Sequence, residues 1–149
     1  MILIRPMRFT EGGECADLAF TCHPGWPGRT GLWDIANPTL VAQEDGVGVI
    51  RGHASFTIDA TTNIMHLRDT CVHPDSRRLG IARDLMEERL DIGVALGIRT
   101  FIGCTWADNT PMVRLLGTFG FHACQPAPRY FKDNDPPADG IIYVKAGQA

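Results

Sequence analysis

The apolar positions change their period along the chain, and the changes mark its elements. "ILIRP" is a compact apolar run stopped by Pro6 and reads as a strand. "TEGGECADLAFTCH" then spaces Cys15, Leu18, Ala19 and Cys22 as one face of a helix, behind Thr10, a residue type that caps helices. Prolines and glycines break up "PGWPGRTGLWD", which carries Trp26 and Trp33 and reads as a shaped loop or a short helix over the core. "TLVAQEDGVGVIRGHASFTID" predicts two strands around Asp45-Gly46, and "IMHLRDTCV" a third, giving an antiparallel meander.

A helical period takes over after "VHPDSRRLG". Ile81, Leu85, Ile92 and Leu96 form one apolar face, with Asp84, Glu87, Glu88 and Asp91 toward solvent and Gly97 as the stop. The apolar density of "RTFIGCTWA" predicts a buried strand, and "NTPMVRLLGTFGF" a helix with Pro111 in its first turn and Gly120 at its end. Strand, helix, strand in this order implies a right-handed crossover and a parallel pair. Two last strands, near "FHACQPAPRYF" and "GIIYVKA", flank the loop "KDNDPPADG".

Composition narrows the class. The 149 residues are 44% hydrophobic, enough for a core, and no repeat or linker divides them, so one domain over residues 1–149 is expected. A net charge of -3 gives no general attraction to nucleic acid or anionic membrane. The first residues contain no apolar run of signal-peptide or membrane-span length, and a soluble cytoplasmic protein is expected. Cys15, Cys22, Cys71, Cys104 and Cys124 are odd in number and lack a CxxC pair or zinc spacing, which fits reduced thiols and no metal.

The candidate chemistry sits in "VHPDSRRLGIARDL". A helix amino terminus offers unpaired N–H groups and the positive end of a dipole, while Gly80 and Ala82 let a ligand approach the backbone. Arg77 and Arg78 add positive charge, so the turn reads as a phosphate or pyrophosphate site. No GxxxxGK[ST] occurs, and Gly46, Gly48 and Gly52 have the wrong spacing and context for a dinucleotide fingerprint; they read as turn and bulge residues.

Arg77, Gly80 and Ala82 in "RRLGIA" match the acetyl-coenzyme A signature of the GNAT superfamily of N-acetyltransferases: Arg or Gln, two residues, Gly, one residue, Gly or Ala. "LRDTCVHP" resembles that family's fourth strand, and "NTPMVRLLGTFGF" its fifth-strand Asn and the helix ending in Gly-Phe. The resemblance covers roughly half the chain in the family's element order. It implies an α/β (α+β) fold with a mixed, mostly antiparallel sheet, a parallel and splayed central strand pair, and flanking helices. It further implies that the backbone of Arg78, Leu79, Gly80, Ile81 and Ala82, with Arg77, holds the pyrophosphate of acetyl-CoA. Cys71 and Val72 would then bond the pantetheine and thioester carbonyl, and Asn109 the coenzyme arm, although an Asn before Thr-Pro is equally a helix cap. Direct transfer requires no metal.

The attacking amine must lose a proton. Counting back from Val72 by twos reaches Arg68 and His66 on one strand face, and members of the family often place a catalytic Glu or His at the position of His66. His66 is thus the base candidate, with an ordinary half-exposed strand histidine as the competing reading; Asp69, expected on the other face unless a bulge intervenes, ranks second. Many relatives carry a Tyr in the last helix that protonates the thiolate, and Leu116 stands there. In the family the acceptor meets the first helices and the loop before the last strand, so Trp26 and Trp33 become substrate-binding candidates, and Asp133, Asp135 and Asp139 could attract a cationic amine.

The leading expectation is N-acetyl transfer from acetyl-CoA to a small-molecule primary amine. A protein lysine or amino-terminal acetyltransferase is the runner-up, and a noncatalytic acetyl-CoA sensor the alternative from another class, favoured by the absent Tyr. A homodimer is an expectation by analogy.

Overall fold

The structure is a computed structural model that describes residues 1–22, 37–131 and 137–147. Seven strands, β1 (Ile2–Pro6), β2 (Thr39–Glu44), β3 (Ile50–Asp59), β4 (Ile64–Val72), β5 (Thr100–Trp106), β6 (His122–Phe131) and β7 (Ala138–Ala146), form one sheet in the order β1-β2-β3-β4-β5-β7-β6. Among the described residues the helices are α1 (Gly12–Cys22), α2 (Ile81–Ala95) and α3 (Thr110–Thr118), with 3-10 turns at Phe9–Glu11 and Pro74–Ser76. β4 and β5 are parallel, with rungs from Ile64 opposite Thr100 to Leu67 opposite Gly103; β4 then continues to Val72 and β5 to Trp106. The pairs β1/β2, β2/β3, β5/β7 and β6/β7 are antiparallel. This is the mixed α/β architecture that the change of hydrophobic period implies.

The residues group into two compact units. In the first, Met1–Thr57 with Arg68–Ile92, the core gathers Cys15, Leu18, Val41, Ile50 and Cys71. The spacing of Cys15 and Leu18 supplies the apolar face of α1, as the sequence predicts. Thr10 does not cap it, because residues 9 to 11 form the 3-10 turn that leads into α1. Glu11 organises this entry instead: its Oε2 accepts from the Arg8 N–H at 2.8 Å, and its carboxylate takes both Nη atoms of Arg5 at 2.6 and 3.0 Å. The paired Arg5 holds the Glu11 carboxyl below the usual carboxylate range.

The expectation of reduced cysteines is corrected at two positions. Cys22, the last residue of α1, and Cys71, near the end of β4, form a disulfide with Cα atoms 6.3 Å apart, while Cys15, Cys104 and Cys124 are free thiols. The two half-cystines are 49 residues apart in sequence, so no spacing rule could join them.

Along α2, Ile81 and Leu85 are buried, and Asp84, Glu87, Glu88 and Asp91 are exposed, as predicted. Leu96 is 61% exposed because the helix has ended at Ala95 and Gly97 turns the chain at φ 73. Arg89, one turn beyond Leu85, takes a place in the buried stripe at 1% exposure.

The second unit is Ile58–Leu67 with Gly93–Ala149. Its core includes Met65, Phe101, Leu116, Phe121 and Tyr143. Gly93 is an approach point: a Cβ there would strike the Phe101 ring, with Met65 Cε 3.4 Å away. β5 alternates buried Phe101, Gly103 and Thr105 with half-buried neighbours, so it is less buried than its apolar density suggests. β6 ends the strand order and is mostly exposed, the setting in which Pro126 and Pro128 cost no ladder bond. Asp139 accepts the Arg129 N–H at 2.7 Å beside a register shift in β6, a structural use of a residue expected to attract substrate.

Glu11→Gln should destabilise the protein by about 1–2 kcal/mol at neutral pH, since it converts a charge-assisted pair into a neutral contact. A carboxylate whose folded pKa is depressed stabilises above its unfolded pKa and loses that contribution as pH falls through the folded value. Urea unfolding should therefore show the gap between parent and variant closing below about pH 4; a gap independent of pH would contradict the ion-pair assignment.

Candidate functional site

The link from β4 to α2 is built by backbone geometry. The His73 N–H donates to the Arg51 carbonyl at 2.8 Å, and the Asp75 N–H donates to His73 Nδ1 at 3.2 Å. These bonds fix the turn that follows Pro74. The chain then takes two left-handed residues, Arg78 at φ 66 and Gly80 at φ 80. For a residue with a Cβ this region costs roughly 1–2 kcal/mol, so Arg78 carries local strain that Gly80 avoids. The Gly80 carbonyl accepts the Asp84 N–H at 2.9 Å, the first bond of α2.

Such a turn presents successive N–H groups toward a concave surface at the positive end of a helix. Arg77, Arg78, Leu79 and Gly80 are all exposed, and Ile81 behind them is buried at 2%. Among the described residues, a Cβ placed on Gly80 would meet nothing within 4 Å beyond its chain neighbours, which leaves space over the turn for a ligand. The residues present therefore fit a pyrophosphate. Arg77 also serves the loop: its Nε donates to the Val72 carbonyl at 3.3 Å.

β4 departs from regular pleating. Met65 approaches the Gly93 position of α2, and Thr70 Oγ1 accepts from Arg89 Nη2 of the same helix at 2.9 Å. Residues an odd number apart on a regular strand face opposite ways, so the alternation is interrupted between Met65 and Thr70. Cys71, next along, points to α1 through its disulfide.

His66 is half-buried and lies opposite Ile102. Asp69 is half-buried, and its charge acts on Arg89. Arg68 is exposed and donates from Nε to Thr57 Oγ1 at 3.3 Å. Asn109 caps α3: its Oδ1 accepts the Met112 N–H at 3.4 Å and its Nδ2 donates to Thr105 Oγ1 at 3.2 Å. One Nδ2 hydrogen is left for a further acceptor. Leu116 is 3% exposed, a core residue. Trp26, Trp33, Asp133 and Asp135 lie outside the described residues. Among the described residues no group of three or more His, Cys, Asp or Glu could hold a metal ion.

Sequence reasoning missed Arg89. Its Nη1 donates to the Ser55 carbonyl at 3.1 Å while Nη2 reaches Thr70, so one buried guanidinium ties β3 to β4 just before Cys71. Burial pushes its pKa down to about 10, and the Asp69 charge opposes the shift. The available signal was position: Arg89 follows Ile81 and Leu85 at fourfold spacing, on the face that packs inward.

A family model described as the acetyltransferase (GNAT) family matches residues 14–121. The chain belongs to this family. Solved structures share the GNAT fold at low identity. The ribosomal-protein-S18-alanine N-acetyltransferase from Escherichia coli superimposes with a TM-score of 0.80 at 18% identity, over 100% of this chain and 96% of that one. The yncA protein of Salmonella typhimurium, solved with its cofactor acetyl-CoA, gives 0.82 at 19%, over 100% and 95%. A nourseothricin acetyltransferase gives 0.67 at 18%, over 75% and 66%. No curated protein matches by sequence. The family match spans the β4–α2 turn, on which the signature read from "RRLGIA" falls.

Arg89→Met should cost about 1–3 kcal/mol in chemical unfolding, because the Ser55 carbonyl and the Thr70 hydroxyl lose a buried charged donor. Equal stability of parent and variant would mean that desolvation of the charge cancels its bonds.

Proposed function

We propose that this GNAT acetyltransferase moves an acetyl group from acetyl-CoA directly to the primary amine of a small molecule. The observation that carries the coenzyme half is the turn itself: left-handed Arg78 and Gly80, open space over Gly80, and the start of α2 immediately behind. In this reading the N–H groups of Arg78 to Ala82 hold the pyrophosphate, and Arg77 and Arg78 supply positive charge. Bound acetyl-CoA supplies an activated acyl group on sulfur. The backbone of Cys71 and Val72 orients the pantetheine. The Val72 carbonyl accepts from Arg77 Nε, and a carbonyl oxygen with two lone pairs can accept a pantetheine N–H as well.

His66 is the residue we assign to take the proton from the amine, with Asp69 as second candidate. Its half-burial on β4 supports a base that is accessible yet held in place. The buried Leu116 cannot protonate the leaving thiolate. A thiolate leaves with less help than an amide nitrogen would need, since a free thiol has a pKa of only about 8.5.

Amino-terminal acetylation of a protein is the second reading, supported by full-length similarity to a structure named for acetylating an alanine of ribosomal protein S18. The net charge of -3 favours a cationic acceptor in either case.

Isothermal titration should give a Kd on the order of micromolar for acetyl-CoA. Arg78→Glu with Gly80→Asp should abolish that binding while leaving the fold intact by circular dichroism. Absence of binding by the parent would overturn the proposal. In an acceptor screen followed by coenzyme A release, His66→Gln should lower kcat by about 10²–10⁴-fold at unchanged acetyl-CoA affinity; full activity of this variant would pass the base role to Asp69 or to water.

A further inference from the structure

The disulfide lies against the coenzyme turn. Cys22 Sγ is 3.3 Å from the Val72 carbonyl oxygen, and Cys71 Sγ is 3.4 Å from the Leu18 carbonyl oxygen. At those distances a thiol donates a hydrogen bond, and a disulfide sulfur, having no hydrogen, cannot. The Val72 carbonyl already accepts from Arg77 Nε. A Cys22 thiol held at this distance would donate its S–H to the second lone pair, whereas the same sulfur in the disulfide has no hydrogen to give.

We propose that Cys22 and Cys71 are a reversible redox site, and that oxidation frees the Val72 carbonyl for the pantetheine amide so that the oxidised protein binds coenzyme A more tightly. The inference rests on the coenzyme reading of the β4–α2 turn and adds a control to it.

The step requires a disulfide oxidant such as glutathione disulfide. Cys22 is half-buried and Cys71 only 3% exposed, so the Cys22 thiolate attacks first, forming a mixed disulfide and releasing one glutathione thiolate. The Cys71 thiolate then attacks the Cys22 sulfur and releases the second. Two protein thiols are oxidised by two electrons, one glutathione disulfide is reduced to two glutathiones, and the two S–H protons end on those products.

Coupling of this kind is reciprocal: if oxidation tightens binding by some factor, bound coenzyme favours the disulfide by the same factor. Desulfo-coenzyme A is a suitable probe because it has no thiol to exchange. The full chain is equilibrated in glutathione buffers of graded ratio, quenched, denatured and alkylated, and its thiols are counted by mass. The expected count is five in reducing buffer, falling to three as Cys22 and Cys71 pair. Titration of desulfo-coenzyme A should show the oxidised form binding roughly two- to tenfold more tightly, the worth of one net hydrogen bond, and saturating probe should shift the glutathione midpoint correspondingly.

Two variants fix the cause. Cys22→Ala has neither disulfide nor donor and should bind like the oxidised parent at every ratio. Cys22→Ser keeps a hydroxyl donor and should bind like the reduced parent. Five alkylated thiols at every ratio would overturn the redox site. A disulfide without any change in affinity, or Cys22→Ala binding like the reduced parent, would overturn the coupling. If the thiol count falls while the probe binds in neither state, the coenzyme turn fails and the coupling fails with it, leaving the disulfide as a separate fact.

Discussion

The chain leaves β4 at Val72 and must begin α2 with Ile81 buried, and left-handed backbone at Arg78 and Gly80 makes that change of direction. The first unit depends on this constraint twice. It sets the phase of α2, so that Ile81, Leu85 and Arg89 face inward while Asp84, Glu87 and Glu88 face water. It also leaves the opening N–H groups of α2 at an exposed, positively charged bend, where helix termini bind anions without further machinery. Packing and the proposed ligand recognition therefore share one piece of backbone.

The strand that feeds the turn is held from both sides. Arg89 of α2 bonds the Thr70 hydroxyl, and Cys22 of α1 is bonded to Cys71, so consecutive residues of β4 are fastened to different helices. The interruption of the pleat between Met65 and Thr70 allows this division. A regular strand would give each face to one helix throughout.

The polar groups of the turn each serve the fold before they serve a ligand. Arg77 closes the loop onto Val72, and His73 accepts from Asp75. The proposed recognition draws on what the turn leaves over, chiefly the N–H groups at a helix start.

The order of the described strands and helices, the parallel β4/β5 pair and the turn into α2 were legible in the sequence because each has a local cause. Hydrophobic period fixes element type, Pro74 and Gly80 fix the turn, and "RRLGIA" carries the family signature. The role of Asn109 as a cap was legible for the same reason. Three features were decided only by the tertiary structure. The Cys22–Cys71 bond joins residues 49 positions apart, the burial of Arg89 depends on acceptors at Ser55 and Thr70, and the break in the β4 pleat shows only in which helix each side chain meets. Sequence patterns report what a residue does to its neighbours in the chain; these features are contacts between distant segments, and the folded backbone alone brings them within bonding distance.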